Sequence, residues 1–206
     1  MEEYLALIEG GQDEIVEKKS RFIGYTAPAT SEEEAEAFIE QIKKKHHDAR
    51  HNCYAYSVGL GNQPLLRFSD DGEPQGTAGK PILEVIQGSG VRNICIVVTR
   101  YFGGTLLGTG GLVRAYTDAA KAGLAASCVK AKRQLIQAEL ELEYTELGKL
   151  QHLIANTDAE LIDTIYTERV VLKVQVYQPV YEEFVNAVTE ATGAKVKVKK
   201  LGEIFG

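Results

Sequence analysis

The glycine-rich stretch at residues 103–111 is the first part of the sequence that could hold a ligand. It follows a predicted buried strand and opens a predicted helix, so its backbone N–H groups and the positive helix end could bind phosphate. No Gly-Lys-Ser/Thr follows, which excludes a P-loop, and a tight strand-to-helix connection is the structural alternative. The candidate residues are Gly103, Gly104, Gly108, Thr109, Gly110 and Gly111, with Arg100 and Arg114 on either side.

An acidic loop earlier in the chain offers carboxylates at Asp70, Asp71 and Glu73. Carboxylate oxygens could bind Mg²⁺. Asp-Asp-Gly is also typical of a turn, in which Asp bonds its own backbone and Gly adopts a left-handed conformation. A third interpretation pairs one of the two aspartates with Arg100 or Arg50, which would fix the loop beside the glycine stretch.

Histidine and cysteine side chains could supply catalytic groups just before this loop. His46 and His47 lie close to His51, but residues 48–50 indicate a helix exit, so hydrogen-bonded or surface histidines are the expectation. Cys53 and His51 are two apart in a predicted strand and could face the same side as a nucleophile pair. No third orienting residue is identifiable, which favours a buried structural cysteine. We therefore assign no catalytic residue.

Basic side chains recur through the same part of the chain. Arginine guanidinium groups hydrogen-bond phosphates well. Because the rest of the chain is acidic, these residues would form a local positive patch that could bind RNA. Nearby aromatic residues stay unassigned, because strand positions alternate between core and surface. The predicted anion- or RNA-binding patch is Arg50, Arg67, Lys80, Arg100 and Arg114.

Hydrophobic patterning predicts the elements that must position these residues. Two strands flank a basic bend at residues 18–20, and Ser31 with Glu34 forms a capping box ahead of a helix that ends in three lysines. Residues 93–99 are a continuous apolar run, typical of a strand buried on both faces. We also predict a strand at 52–58, a short apolar segment at 65–66, a helix over 82–86 opened by Pro81, and a helix opened by the glycine-rich stretch that carries Leu112, Val113, Tyr116, Ala120 and Leu124 on one side.

The remainder of the chain follows a second pattern beyond the basic residues 130–133. Its order is βαββαβ, the ferredoxin-like arrangement, with helices entered at Thr145 and Pro179 and the second helix ended by Gly193. The strands are predicted at 134–143, 159–166, 170–176 and 195–201. We therefore predict an α+β protein with two domains, 1–133 and 134–206.

Composition narrows the class of protein. The 206 residues are 44% hydrophobic and 25% charged, which is ordinary globular composition. No apolar run is long enough for a membrane span and the N-terminus does not read as a signal peptide, so we expect a soluble cytoplasmic protein without membrane contact. Three separate cysteines indicate reduced thiols and no metal site. The net charge of −6 argues against sequence-specific DNA binding.

Four segments of the first domain together resemble the signature of the IMPACT (YigZ) family. Their order and spacing match, and the Asp-Asp-Gly-Glu-Pro block at residues 70–74 and the Tyr-Phe-Gly-Gly block at 101–104 are unusual enough to be specific. The segments are residues 49–56, 67–81, 99–104 and 107–116. The resemblance covers the whole first domain, while the second domain is similar to that of bacterial members in length and strand order.

The resemblance implies a fold and a field of activity. The first domain is expected to share the left-handed βαβ fold of elongation factor G domain IV and the GHMP kinases, and the second to resemble elongation factor G domain V. Eukaryotic members act in translational control by competing for a regulator of the general-control kinase, through an extra N-terminal module that we do not expect here. For bacterial members the resemblance implies a link to translation, RNA or ribosomes.

Three functions follow in order of preference. The first is a translation-associated regulatory protein that binds RNA or ribosomal particles through the first domain, with no cofactor. The second is an enzyme that holds a phosphate or nucleotide with residues 103–111, although no general base is identifiable from spacing. The third is a protein-interaction module that docks a partner on the Gly-Thr-Gly-Gly and Tyr-Phe residues.

Overall fold

The computed structural model describes residues 3–60 and 63–206. The described chain divides into two compact units, Tyr4–Ala131 and the part from Lys132 to Gly206. One strand, Cys128–Leu142, runs without a break through the junction between them. The predicted boundary at 133/134 therefore falls inside a strand rather than in a linker, and it stays a prediction.

The first unit is built on a five-stranded antiparallel sheet in the order β2-β3-β7-β4-β5, with α1 on one face and α2 and α3 on the other. The short β6 pairs in parallel with β1. The elements are β1 (Glu3–Glu9), β2 (Gln12–Glu17), β3 (Ser20–Pro28), α1 (Glu32–Lys45), β4 (His51–Val58), β5 (Leu65–Ser69), α2 (Gly79–Ser89), β6 (Val91–Arg92), β7 (Ile94–Tyr101) and α3 (Thr109–Ala125).

The predicted buried strand is the centre of this sheet. β7 pairs with β3 on one side and β4 on the other, and its residues from Ile94 to Thr99 are fully buried. Alternate side chains of β7 enter two separate cores, one against α2 and α3 and one against α1. A continuous apolar run is what a strand covered on both faces requires. The prediction for residues 93–99 is confirmed.

The basic bend is a two-residue hairpin turn between β2 and β3. Its two central residues, Lys18 and Lys19, have φ of 47° and 66°. Positive φ at both central positions is typical of a type I′ turn, which is usually made with Asn-Gly. A left-handed conformation costs an L-residue about 1–2 kcal/mol. Two adjacent lysines therefore hold a strained turn.

The first helix begins at the predicted capping residues. The Ser31 Oγ accepts the Glu34 N–H at 3.2 Å, and the Glu34 carboxylate bonds the N–H and hydroxyl of Thr30 at 2.7 and 2.8 Å. Ala35, Ile39 and Ile42 face the sheet. Since β7 lies between β3 and β4, α1 forms a βαβ crossover; its left-handed sense stays a prediction from the resemblance.

The second unit has the predicted βαββαβ order in one antiparallel sheet. Its strands lie in the order β11-β8-β10-β9, and the core lies between the sheet and its two helices. The elements are β8 (Cys128–Leu142), α4 (Leu147–Ala155), β9 (Ala159–Tyr166), β10 (Val170–Tyr177), α5 (Tyr181–Thr192) and β11 (Val198–Phe205). The α+β two-unit class is confirmed; the elongation factor superfamily names stay predictions.

Two helix starts and two strand starts differ from the sequence predictions, while α3 begins at Thr109, within the stretch predicted to open it. Pro81 is the third residue of α2 because Gly79 already begins the helix, and β8 begins at Cys128, six residues before the predicted position 134. Thr145 does not cap α4, since a 3₁₀ turn over Tyr144–Glu146 precedes the helix. The last strand begins three residues later than predicted, although Gly193 ends α5 in a left-handed conformation as expected.

Strand β3 and helix α3 meet through their backbones. A Cβ on Gly24 would lie 2.1 Å from the Ala119 carbonyl oxygen, and a Cβ on Gly123 would lie 2.8 Å from the Gly24 carbonyl carbon. Two glycines therefore allow an approach that no other residue permits. This contact sets how α3 lies on the sheet.

We predict that Gly24→Ala destabilises the protein by about 3 kcal/mol or more, because the added methyl must push α3 off the sheet. Gly88→Ala is the matched control, since a Cβ at Gly88 meets nothing within 4 Å and alanine favours a helix by up to about 1 kcal/mol. Chemical denaturation compares the free energies of unfolding. Equal effects of the two substitutions would contradict the close contact.

Candidate functional site

The candidate residues gather at one end of the five-stranded sheet. The antiparallel registers Arg21↔Tyr101 and His51↔Arg100 show that β3 and β4 begin where β7 ends. β5 ends beside the first residues of β4, so the loop that follows it belongs to the same end. We call this region the loop end; it comprises the turn at residues 18–20, Arg50, the loop at 70–78, the loop at 102–108 and the starts of α2 and α3.

A buried ion pair lies at the centre of the loop end. Arg100 Nη1 donates to Glu73 Oε1 at 2.6 Å, and the two side chains are only 7% and 4% exposed. The Tyr116 hydroxyl donates to the same oxygen at 2.8 Å, and burial raises the pKa of that hydroxyl, so it stays protonated. The pair joins β7, the acidic loop and α3. Its distance identifies a strong charge-assisted hydrogen bond.

The burial of Arg100 corrects two sequence predictions. Arg100 is only 6% exposed, so it cannot belong to a surface patch in this arrangement. The predicted pairing with Asp70 or Asp71 is also wrong for Arg100, because its partner is Glu73. A buried guanidinium needs a carboxylate close by, and Glu73 supplies it, whereas both oxygens of Asp70 accept backbone N–H groups.

The two aspartates fix the loop through backbone N–H groups. Asp70 Oδ1 accepts from Ala78 and Gly79 at 3.0 and 2.8 Å, and its Oδ2 accepts from Gly76 at 2.8 Å. Asp70 thus caps the start of α2 from outside the helix. Asp71 Oδ2 accepts the Asn52 N–H at 2.6 Å, which ties the loop to β4. Through these hydrogen bonds Asp70 and Asp71 fix the conformation of the loop, as in a structural turn.

The geometry of the acidic loop does not favour a Mg²⁺ site at Asp70, Asp71 and Glu73. Both oxygens of Asp70 already accept backbone N–H groups. Across residues 3–60 and 63–206 no group of three or more His, Cys, Asp or Glu side chains is arranged to hold a metal ion. Glu73 is committed to Arg100 and Tyr116.

His51 and Cys53 hold the same loop from strand β4. The His51 Nδ1 hydrogen-bonds the Asp71 carbonyl oxygen at 2.8 Å, which requires a proton on Nδ1. The Cys53 thiol donates to the Asp70 carbonyl oxygen at 2.9 Å. Burial raises the pKa of this thiol, so it remains protonated and is a poor nucleophile. Both side chains therefore have a structural role in this arrangement.

His46 lies on the opposite face of the sheet, away from His51. Tyr101 donates to Asp48 at 2.9 Å, so its oxygen accepts from the His46 Nδ1 at 2.8 Å; the Nε2 then accepts from the Tyr25 hydroxyl at 2.7 Å. Burial, and secondly the charge of Lys45, lowers the pKa of His46. The histidines do not form a shared site.

Three positions of the glycine stretch require glycine, and all three lie in the loop before the helix start. Gly104 and Gly108 have φ of 84° and 73°. A Cβ on Gly103 would lie 2.0 Å from the Lys19 carbonyl carbon, and the Gly103 N–H donates to Ser20 Oγ at 3.0 Å. A Cβ on Gly110, by contrast, meets nothing within 4 Å. The loop is thus pinned onto the β2–β3 turn.

The exposed cations of the loop end differ from the predicted patch. Arg67 lies in the middle of β5, opposite Tyr56 and 3.7 Å from Glu32 at the start of α1, so it belongs elsewhere. The sequence predicts only a bend at Lys18 and Lys19. The antiparallel pairing of β3 with β7 brings this bend to the loop end. The exposed cations of the loop end are Lys18, Lys19, Arg50, Lys80 and Arg114.

An apolar groove lies away from the candidate binding residues. It has a volume of about 550 Å³, lies between α2 and α3 and is lined among others by Val85 and Leu124, and none of the candidate binding residues lines it. Exposed charge, glycine loops and helix starts coincide instead at the loop end.

No helix in the described ranges is long and apolar enough to cross a membrane.

The fold and these residues together define a two-unit α+β protein whose first unit carries a loop-rich, cationic end. Residues 18–124, which include all these loops, match the model of the Impact N-terminal domain, and residues 140–195 match a domain of unknown function, DUF1949. The chain belongs to the IMPACT family, as the resemblance of its motifs predicted.

Relatives of known sequence or structure match between 76% and 98% of this chain. The IMPACT family member YvyE of Bacillus subtilis strain 168 is 39% identical over 201 residues, covering 98% of this chain and 92% of its own. YigZ of Escherichia coli K12 is 44% identical over 158 residues, 76% and 78% of the two chains. A crystal structure described as that of a hypothetical protein shares 37% identity, covers 98% of each chain and has a TM-score of 0.64.

We predict that Glu73→Gln destabilises the protein by about 3–5 kcal/mol, because it leaves the Arg100 charge buried without a counter-charge. Glu14→Gln is the matched control: it breaks the solvent-exposed pair with Arg21 at 2.7 Å and should cost less than about 1 kcal/mol. Denaturant titration measures both. A cost for Glu73→Gln as small as the control's would show that Arg100 is not held as described.

Proposed function

We propose that this protein is a translation-associated regulatory protein that binds RNA, free or in ribosomal particles, through the loop end of its first unit. The observation that carries the proposal is the set of five exposed cations at one end of the sheet, two in the β2–β3 turn, one just before β4 and two near the starts of α2 and α3, in a chain of net charge −6. Phosphate contacts supply most of the affinity of non-specific nucleic-acid binding. Family membership supports the link to translation.

Three acidic residues of the loop end are bonded within the fold, while Glu17 and Asp48 are exposed acids next to its cations. Glu73 is buried and neutralises Arg100, and Asp70 and Asp71 accept backbone N–H groups within their own loop. These three carboxylates therefore bond Arg100 and backbone N–H groups, and not the exposed cations of the loop end. A polyanion approaching the loop end meets a positive rim, although the protein as a whole is acidic.

The strained turn also supports a binding role for Lys18 and Lys19. Two adjacent lysines with positive φ cost the fold free energy that Asn-Gly would not. Residues held in sparsely populated backbone conformations concentrate at functional sites. We infer that the turn retains lysines for their charge, which faces solvent beside the Gly103 loop.

Binding rather than catalysis fits the chemistry at the loop end. Cys53 and His51, the nucleophile pair considered from the sequence, are both bonded to loop carbonyl oxygens. The pKa of the Cys53 thiol is raised by burial, the opposite of what an activated nucleophile needs. The buried network holds the loops in shape, and the exposed groups are of the kind that contact phosphates.

We predict that the double variant Lys18→Asn, Lys19→Gly folds more stably than the wild type and binds RNA more weakly. Relief of the turn strain should add about 1–2 kcal/mol of stability. Loss of two phosphate contacts should lower the affinity about 25-fold at 0.1 M salt, because each contact on a single strand contributes a salt slope of about −0.7. Thermal unfolding and RNA titrations at several salt concentrations measure the two effects.

Lys121→Gln, Lys130→Gln is the charge-matched control. Both lysines are exposed in the same unit, Lys121 about 10 Å along α3 from Arg114, and neither belongs to the loop end. The control should keep the wild-type affinity and salt slope. Equal losses in the two variants would mean that RNA responds only to net charge, and a wild type that binds neither RNA nor ribosomal particles at low salt would refute the proposal.

A further inference from the structure

The loop at residues 102–108 presents large apolar side chains to solvent. Phe102 is 51% exposed and Leu106 is 83% exposed, the highest value among the large hydrophobic side chains in the described part of the chain. An exposed apolar patch that is surrounded by polar or charged residues is typical of an interaction surface. Both residues lie within the cationic loop end, so a partner that binds there would contact apolar side chains as well as cations.

The backbone beneath Phe102 is held in place on both sides. Gly103 packs on Lys19 with no room for a Cβ, and its N–H donates to Ser20 Oγ at 3.0 Å. Leu107 covers Gly111 at the start of α3. Phe102 therefore projects from a fixed point and has only two side-chain torsions to order on binding, so a contact with its ring costs little conformational entropy.

A buried cation supports the Phe102 ring. The guanidinium carbon of Arg100 lies 5.6 Å from the centroid of Phe102 and 5.3 Å from that of Phe22. Arg100 is held by Glu73, so the cation–π contact is built into the fold and does not depend on a partner. Arg100 thus acts as a positioning residue for an aromatic side chain that is half exposed.

Exposed cations lie on the chain segments next to the Phe102 loop. Lys18 and Lys19 form the turn on which the loop packs through Gly103, and Arg114 lies about one turn into the helix that follows the loop; Glu17 is the acid next to the turn. Cations beside an exposed aromatic ring suit a chain that carries phosphates and accessible base faces together. Base–aromatic stacking is the common device of proteins that bind single-stranded nucleic acid.

We propose that Phe102 is a base-stacking residue and that the loop end binds unpaired RNA, with a base on the Phe102 ring and the phosphates on Lys18, Lys19 and Arg114. This inference rests on the proposed function and specifies its substrate class. A continuous duplex cannot use the ring, because its bases are already stacked inside the helix. The protein therefore discriminates single strands, loops or ends from paired RNA.

The test compares Phe102→Ala with Phe102→Tyr and with Phe68→Ala. Phe68 is 49% exposed on the edge strand β5 of the same unit, so it matches Phe102 in residue type and exposure but not in place. A short labelled single-stranded RNA and a blunt RNA duplex of the same length are titrated with each variant. Phe102→Ala should weaken single-strand binding on the order of tenfold without changing the salt slope, whereas Phe102→Tyr and Phe68→Ala should bind like the wild type.

Each other outcome has one meaning, provided that thermal unfolding shows the variants to be folded. Unchanged single-strand affinity in Phe102→Ala, together with weakened binding in the Lys18→Asn, Lys19→Gly variant, would overturn the stacking role and leave the proposed function standing; the apolar loop would then serve a protein contact. Equal wild-type affinity for single strand and duplex would also overturn it. A wild type that binds no RNA would overturn both proposals.

Discussion

The Arg100–Glu73 ion pair is the interaction on which the rest of the loop end depends. Removing two charges from water costs several kcal/mol per ion, so such a pair persists only with close geometry and supporting hydrogen bonds. Here a 2.6 Å contact, the Tyr116 hydroxyl and the rings of Phe22 and Phe102 supply that support. The compensation is incomplete, since Arg100 Nε finds no acceptor within the described residues.

The consequences of the pair spread along three chain segments. Glu73 anchors the acidic loop, whose Asp70 then caps α2 and whose Asp71 holds β4. Tyr116 ties in α3, which Gly24 and Gly123 already bring against β3 backbone to backbone. A single buried charge pair thus sets the positions of two helix starts and two loops. The exposed cations lie beside those loops, in the β2–β3 turn, just before β4 and near the starts of α2 and α3, whereas Arg100 is buried and holds the network together.

Local patterns in the sequence predicted much of this fold. The apolar run of β7, the Ser31 cap, the residue-18–20 bend and Gly193 each depend on neighbours within a few positions, and the structure contains all four. Hairpin turns, caps and buried strands are encoded locally because their hydrogen bonds or burial periods close over short distances. The family motifs lie within residues 49–116, a part of the chain that contains most of the loop end.

The internal arrangement of the site could not be predicted in the same way. Arg100 looked like a surface cation because its partner lies 27 residues away, and only the fold brings them together. Gly103 depends on Lys19, more than 80 residues distant, for the contact that excludes a side chain. The pairing of β3 with β7 is what brings Lys18 and Lys19 to the loop end. Long-range pairing, rather than residue type, decided which predicted cations are available to a ligand.

Mapping of backbone amide chemical shifts with a short single-stranded RNA tests the central claim most directly, because it needs no substitution in the network. Our account predicts changes confined to the loop end, at residues 18–20, 50–51, 70–78 and 102–114, that vanish as salt is raised. Changes concentrated along the α2–α3 groove or in the second unit, with the loop end unaffected, would contradict it.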